Sequence, residues 1–169
     1  MKRIAVVVLL SLFAGNLMAQ KFAFVDSDYI LKKIPSYKAA QDQIDKLSQQ
    51  YQKEIEGMYA DVDKLYQDYQ AEKVLLTEEM QKKREDDIIA KEHQVKDLQV
   101  KYFGKDGLLF KKREELIKPI QEQVANAIKE LANEGGYAVI FDSSTATNMI
   151  YTNPRYDKSE EVLQKLGYN

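Results

Sequence analysis

Residues 42–72, DQIDKLSQQYQKEIEGMYADVDKLYQDYQAE, place Ile44, Leu47, Tyr51, Ile55, Met58, Val62, Leu65 and Tyr69 at steps of three and four. That is the apolar stripe of a helix, and the positions between are mostly Gln, Lys, Asp and Glu. The mean step is about 3.6 residues, so supercoiling should be weak. The stripe is only one or two residues wide per turn, which suffices for one partner helix and leaves the remaining surface in water.

Outward from this stretch the helical pattern persists. Between Ser36, the expected N-cap, and Gly104 there is no proline and a single interior glycine, Gly57. So long a helix must fold back on itself or stack against other chains. The fold-back is expected near Lys73–Leu76, because Thr77 can cap a new helix and Glu78 and Glu79 put negative charge at its N-terminal dipole. The returning stripe is Met80, Ile88, Val95, Leu98 and Tyr102, with polar Arg84 and Lys91 in the seam between them. A coiled-coil hairpin follows, with an arm of about 37 residues and roughly 55 Å, so the molecule should be elongated. Gly104 and Gly107 break the return. A denser stripe resumes with Leu109, Leu116, Ile117, Ile120, Val124, Ile128 and Leu131, should kink at Pro119, and ends at Gly135-Gly136.

The flanks have strand character. Phe22-Ala23-Phe24-Val25 alternates with Phe22 and Phe24 on one face, and a helical turn over Asp28–Ile34 follows. After the hairpin, Tyr137–Phe141 is the best strand in the chain, Asp142–Thr147 a turn, and Asn148–Tyr151 a partner strand stopped by Asn153-Pro154. Asp157-Lys158-Ser159-Glu160 has capping-box spacing for a last helix through Leu166, closed by Gly167. Three short strands are too few for a self-sufficient core, so they should complete a sheet with other copies of the chain. The residues assigned to that shared core are Phe22, Phe24, Val25, Val139, Phe141, Met149 and Ile150.

The whole chain has 169 residues, 44% hydrophobic and 31% charged, with no cysteine. The missing thiols exclude disulfide scaffolds, thiolate metal sites and cysteine nucleophiles. A net charge of −2 spread along the chain speaks against a nucleic-acid binder. Met1-Lys2-Arg3, the apolar run Ile4–Ala14 and Leu17-Met18-Ala19 form a secretory signal peptide, too short to span a membrane. Its removal before Gln20 leaves 23 basic against 27 acidic side chains. The expected division is a signal peptide at 1–19, a β-rich oligomerisation body at 20–35 and 135–169, and a helical arm at 36–134.

No catalytic or cofactor site is expected. His93 is the only histidine and lies between Glu92 and Gln94 on a helix, a solvated position. Glu78-Glu79, Glu85-Asp86-Asp87 and Glu114-Glu115 are consecutive on helices, so neighbouring carboxylates diverge rather than converge on a metal. The basic runs Lys82-Lys83-Arg84 and Lys111-Lys112-Arg113 each abut an acidic run, the pattern of a salt-bridged solvent face. There is no phosphate-cradling loop and no nucleophile elbow. Tyr51, Tyr69 and Met80 fit the seam, whereas Tyr59 and Tyr66 fall beside it and Val74, Leu75 and Leu76 sit at the hairpin end. These five are the candidates for weak contact with apolar protein, set against mutual packing within the tip. Gly57, Gly104 and Gly107 are the expected flex points.

The signal peptide, the K-F-A-F-V-D strand, the long hairpin, G-Y-A-V-I-F-D and Y-T-N-P-R-Y-D-K-S-E-E-V-L-Q-K-L-G-Y together resemble the Skp/OmpH family of periplasmic chaperones. Lys111–Tyr168 is similar in particular to the OmpH-like proteins of the Bacteroides group. The resemblance implies an α+β, mostly α fold: a homotrimer whose strands build a small β-barrel body, from which three helical hairpins project like tentacles. It implies an ATP-independent holdase without cofactor, keeping unfolded outer-membrane proteins soluble in the periplasm before insertion. Transient contact with a membrane surface or lipopolysaccharide is implied by the resemblance alone, with no residues assigned. The best-known members are basic, whereas the first arm here, Ser36–Leu76, carries five Lys against eight Asp and Glu. A periplasmic coiled-coil spacer or adaptor, with rigid arms and one stoichiometric partner, is the alternative.

Overall fold

The computed structural model describes residues 21–145 and 149–168. The expected signal peptide, the end of the expected turn at Thr147 and Asn148 lie outside the described residues. Strand β1 (Lys21–Val25) is followed by α1 (Ser27–Lys33), α2 (Pro35–Glu72), a 3-10 turn (Lys73–Leu75), α3 (Glu78–Phe103), α4 (Leu108–Gly135), β2 (Tyr137–Asp142), a second 3-10 turn (Pro154–Tyr156) and α5 (Ser159–Lys165). Two compact units result: Ile34–Glu122, and the residues up to Lys33 together with those from Gln123 onward.

In the first unit, α2 runs unbroken for 38 residues. Ser36 does not cap it. Pro35 occupies the first helical position, where a missing N–H costs nothing, and the Ile34 carbonyl accepts from the amides of Tyr37 (3.1 Å) and Lys38 (3.3 Å). The seam is one buried cluster of Ile55, Val62 and Tyr69 from α2 against Ile88, Val95 and Tyr102 from α3. Each trio is spaced by seven, the repeat of a coiled-coil seam. Tyr51, Met58, Leu65, Leu76 and Leu98 pack on it as flanking residues. Met80 does not belong to it, being 51% exposed. Counting back by seven from Ile88 reaches Gln81, so the apolar residue one position away points to water.

The turn is closed by polar groups. Gln81 Nε2 donates to the carbonyls of Lys73 (2.9 Å) and Leu76 (3.2 Å), satisfying acceptors that the end of a helix leaves unpaired. Thr77 caps α3 as expected, its Oγ1 accepting from the Met80 amide at 3.3 Å. The return ends at Phe103, and α4 begins at Leu108 after the glycine-bearing break. Pro119 lies inside α4 without dividing it, and Ile117, Ile120, Val124 and Ala127 make its buried stripe.

In the other unit, β1 and β2 pair in parallel, with Phe22 opposite Val139, Phe24 opposite Phe141 and Val25 opposite Asp142. A parallel pair needs a crossover, and here the helical segment between them is that crossover. Ala23 and Val25 point to the buried side of the sheet, and α1 packs on α5 through a region that buries Ile30, Leu31, Val162 and Leu163. Met149, Ile150 and Tyr151 form no strand, contrary to the sequence expectation. The N–H and C=O groups of a strand need a ladder, and beside β1 that place goes to Asp157, which bridges Phe24. The last helix starts at Ser159, and its Lys158 N-cap offers no side-chain bond; Asp157 Oδ1 accepts from the Ser159 amide at 2.9 Å instead. Gly136 (φ 63°) and Gly167 (φ 83°) take the left-handed conformation just beyond α4 and α5.

Candidate functional site

At the hairpin turn the backbone is satisfied while its side chains are not covered. Val74 and Leu75 are 89% and 82% exposed, because a single pair of helices has no second layer at its end. Leu76, placed in the same contact group from sequence, turns instead onto the seam cluster. Tyr59 and Tyr66 are about half exposed on the flank of α2. Tyr66 shares a shallow groove with Tyr69, Ile88 and Ile89, edged by Lys73, Glu85 and Glu92. Ile89, Val100, Phe103 and Phe110 are also exposed without having been contact candidates from sequence, and Met80, expected in the seam, is exposed as well. The heptad count carried the signal for Met80 and Ile89, which stand one position off Gln81 and Ile88.

Two tyrosines tie the helices together across the seam. The Tyr102 hydroxyl donates to Glu54 Oε2 at 2.8 Å, and the Tyr69 hydroxyl donates to Glu85. Each carboxylate acceptor, aided by desolvation, pushes its phenol above the ordinary tyrosine range. Tyr51 stacks on Tyr102 with ring centroids 3.8 Å apart and meets Phe103 edge-on. Lys73 Nζ lies 5.3 Å from the centre of the Tyr69 ring, and Arg84 pairs with Glu72 at 3.2 Å.

The expected flex points differ in kind. Gly57 lies inside continuous α2 with open space around it. A Cβ at Gly104 would stand 2.4 Å from the Val100 carbonyl oxygen, and one at Gly107 2.8 Å from that of Tyr102. The break is therefore a close approach of backbone that only glycine permits.

The second candidate surface is the open face of the sheet. Phe22, Val139 and Phe141 are 47–48% exposed, with Phe24 half-buried between them. Phe24 packs on Phe141 at 5.8 Å, and Tyr156 stacks on Phe22 at 5.4 Å. Of the other shared-core candidates, Val25 is buried by its own chain, Met149 is half-buried and Ile150 fully exposed. The strand ends are knitted by polar groups. The Ser27 amide and hydroxyl donate to the Asp142 carboxylate (3.2 and 2.6 Å), and so do those of Ser144 (3.0 and 2.8 Å). Burial pushes the Asp142 carboxyl up, but these four hydrogen bonds outweigh it and hold it below the ordinary range. Ser159, the one buried polar side chain among the described residues, accepts from the Asp26 amide at 2.8 Å.

His93 is exposed on α3. Of the acidic clusters, Glu85 is engaged by Tyr69 and Glu115 by Lys112 at 2.8 Å. Among the described residues no three His, Cys, Asp or Glu side chains are grouped to hold a metal ion.

Between its two short parallel strands the chain inserts a two-helix hairpin and the further helix α4. Residues 21–166 match the family described as outer membrane protein (OmpH-like). The chain belongs to the OmpH-like family. Its fold is similar to the crystal structure of a candidate outer membrane chaperone (OmpH-like) from Caulobacter crescentus CB15, with a TM-score of 0.68 at 14% identity. That match covers 87% of this chain and 83% of the other. No curated protein matches by sequence. OmpH-like membership accounts for the mostly helical chain with its small strand pair.

Proposed function

We propose that this OmpH-like chain is an ATP-independent periplasmic holdase that binds unfolded outer-membrane proteins and keeps them from aggregating. The observation that carries the reading is the hairpin turn, whose backbone is closed by Gln81 and Thr77 while Val74 and Leu75 stand in solvent. Apolar groups presented this way meet apolar segments of an unfolded chain at little ordering cost, each contact weak and several acting together. Family membership supports the same reading. Three copies assemble through the open sheet face, where Phe22, Val139 and Phe141 await cover, and through the free edge of β2. The arms then surround one client.

The test is dilution of a urea-unfolded outer-membrane β-barrel protein into the mature chain, with light scattering followed over time. Soluble complexes of three copies per client, formed without nucleotide, are expected. Unchanged aggregation at several-fold trimer excess would overturn the reading and favour the spacer or adaptor.

A further inference from the structure

The hairpin has two unlike faces. With Ile55, Val62 and Tyr69 as the seam of α2, the positions four residues beyond Ile55 and Val62 are Tyr59 and Tyr66, which lie on one flank. The groove joining Tyr66 to Ile88 and Ile89 shows that this flank of α2 and the Ile89 side of α3 share a face. Phe103, fourteen residues beyond Ile89, returns to the same side of α3 and is exposed there. On the opposite flank of α2 the equivalent positions, each one before a seam residue, are Glu54, Asp61 and Asp68, and on α3 they are Met80, Asp87, Gln94 and Lys101, with exposed Met80 sharing a groove with Asp87 near the turn. Along the shaft the large apolar side chains Tyr59, Tyr66, Ile89 and Phe103 therefore stand on one face, and the other is mostly charged, with Met80 its one exposed large apolar residue among these positions.

The spacing says what kind of partner fits. Tyr59 and Tyr66 are seven residues apart on a helix, about 10.5 Å at 1.5 Å per residue. Same-side residues of an extended chain recur every ~6.7 Å. A strand running along the arm does not seat consecutive same-side residues on both tyrosines, so each offers a separate contact point to an unfolded segment. Glu56, Asp63, Glu92 and Lys96 interrupt the apolar groups. A permanent helix-on-helix interface needs a continuous apolar seam like the one already formed by Ile55, Val62 and Tyr69, and this face has none.

We propose that the unfolded client lies against the face of Tyr59, Tyr66, Ile89 and Phe103, while the face of Asp61, Asp68 and Asp87 remains in water. This rests on the holdase reading and adds the side of the arm on which the client is held. The experiment places a benzophenone photo-crosslinker singly at Tyr59, Tyr66 or Ile89 and at Asp61, Asp68 or Asp87 of the mature chain. Each variant is mixed with a urea-diluted outer-membrane β-barrel protein, and crosslinking and light scattering are read from the same sample. Crosslink yields about tenfold higher from the tyrosine face are expected, the ratio that about 1.4 kcal/mol of preference gives. Equal yields from both faces, with aggregation still suppressed, overturn the face assignment alone. Crosslinks from Tyr66 to a second copy of this chain that client does not displace overturn it too. Failure of the unsubstituted chain to suppress aggregation overturns the holdase reading, and the face with it. As a second variant, Tyr59→Ser/Tyr66→Ser/Ile89→Ser should keep its helical circular dichroism yet bind the client about tenfold more weakly; unchanged binding counts against the proposal.

Discussion

In the hairpin unit, apolar side chains from two helices meet across a seam, and what remains outside is scattered among charges. In the sheet unit Ala23 and Val25 are buried and Ile140 half-buried on one side, while Phe22, Phe24, Val139 and Phe141 lie side by side on the other. The difference follows from backbone chemistry. A helix satisfies its own N–H and C=O groups, so two helices close a hairpin with a single stripe. A two-stranded sheet has edges and two faces, and α1 and α5 supply too little cover for both. The hairpin thus presents isolated apolar groups, whereas the sheet leaves adjacent apolar side chains open on one face.

The largest test of that contrast is Val139→Glu with Phe141→Glu. Charges on the open sheet face should reduce the proposed assembly to single chains in sedimentation while the helical circular dichroism stays; an unchanged oligomeric mass would show that copies join elsewhere. Next is Val95→Ala in the seam, where the side chain is fully buried. It should cost about 2 kcal/mol in urea unfolding, whereas Val74→Ala at the exposed turn should cost well under 1 kcal/mol. Equal effects would mean that the turn is packed in solution.

Acid provides a test specific to the sheet unit. Asp142 has a depressed pKa in the folded chain, so its stabilisation is present above the ordinary aspartate range and is lost as pH falls through the folded value. Asp142→Asn should therefore lower the urea midpoint at neutral pH, and the gap to the parent should close in acid. A gap independent of pH would assign the loss to packing instead. At alkaline pH the hairpin should respond, because the raised phenols of Tyr69 and Tyr102 stabilise it below the ordinary tyrosine range and cease to do so as pH rises through their folded values. Tyr102→Phe should flatten that limb in a urea titration, and an unaltered limb would remove the Glu54 bond from the account. Smallest of all is Arg84→Ala. Its pair with Glu72 is about half exposed on both sides, and the expected cost is below about 0.5 kcal/mol.

How far the molecule was legible depends on how local each feature is. All eight residues of the first-arm stripe, from Ile44 to Tyr69, are buried or half-buried. Thr77 caps where its position said it would. Met80 was misplaced because apolar character was weighed above the seven-residue count. Ser36 was misplaced because a hydroxyl before a helical pattern was preferred to the proline that starts it. Leu76 was grouped with Val74 and Leu75 by composition, yet the turn rotates it inward. The Gly104–Gly107 break was visible, but the approach to the Val100 and Tyr102 carbonyls that requires glycine was not.

The sequence by itself determined the helical hairpin, its seam, its turn, its break and the two strand segments. Each of these is written in spacings of a few residues, and helix hydrogen bonds connect near neighbours. Only the tertiary structure decided that β1 and β2 run parallel, that Met149–Tyr151 forms no strand within one chain, and that Ser27 reaches Asp142 across 115 positions. Strand pairing and side-chain networks join groups with no local period, so their partners are chosen by the fold.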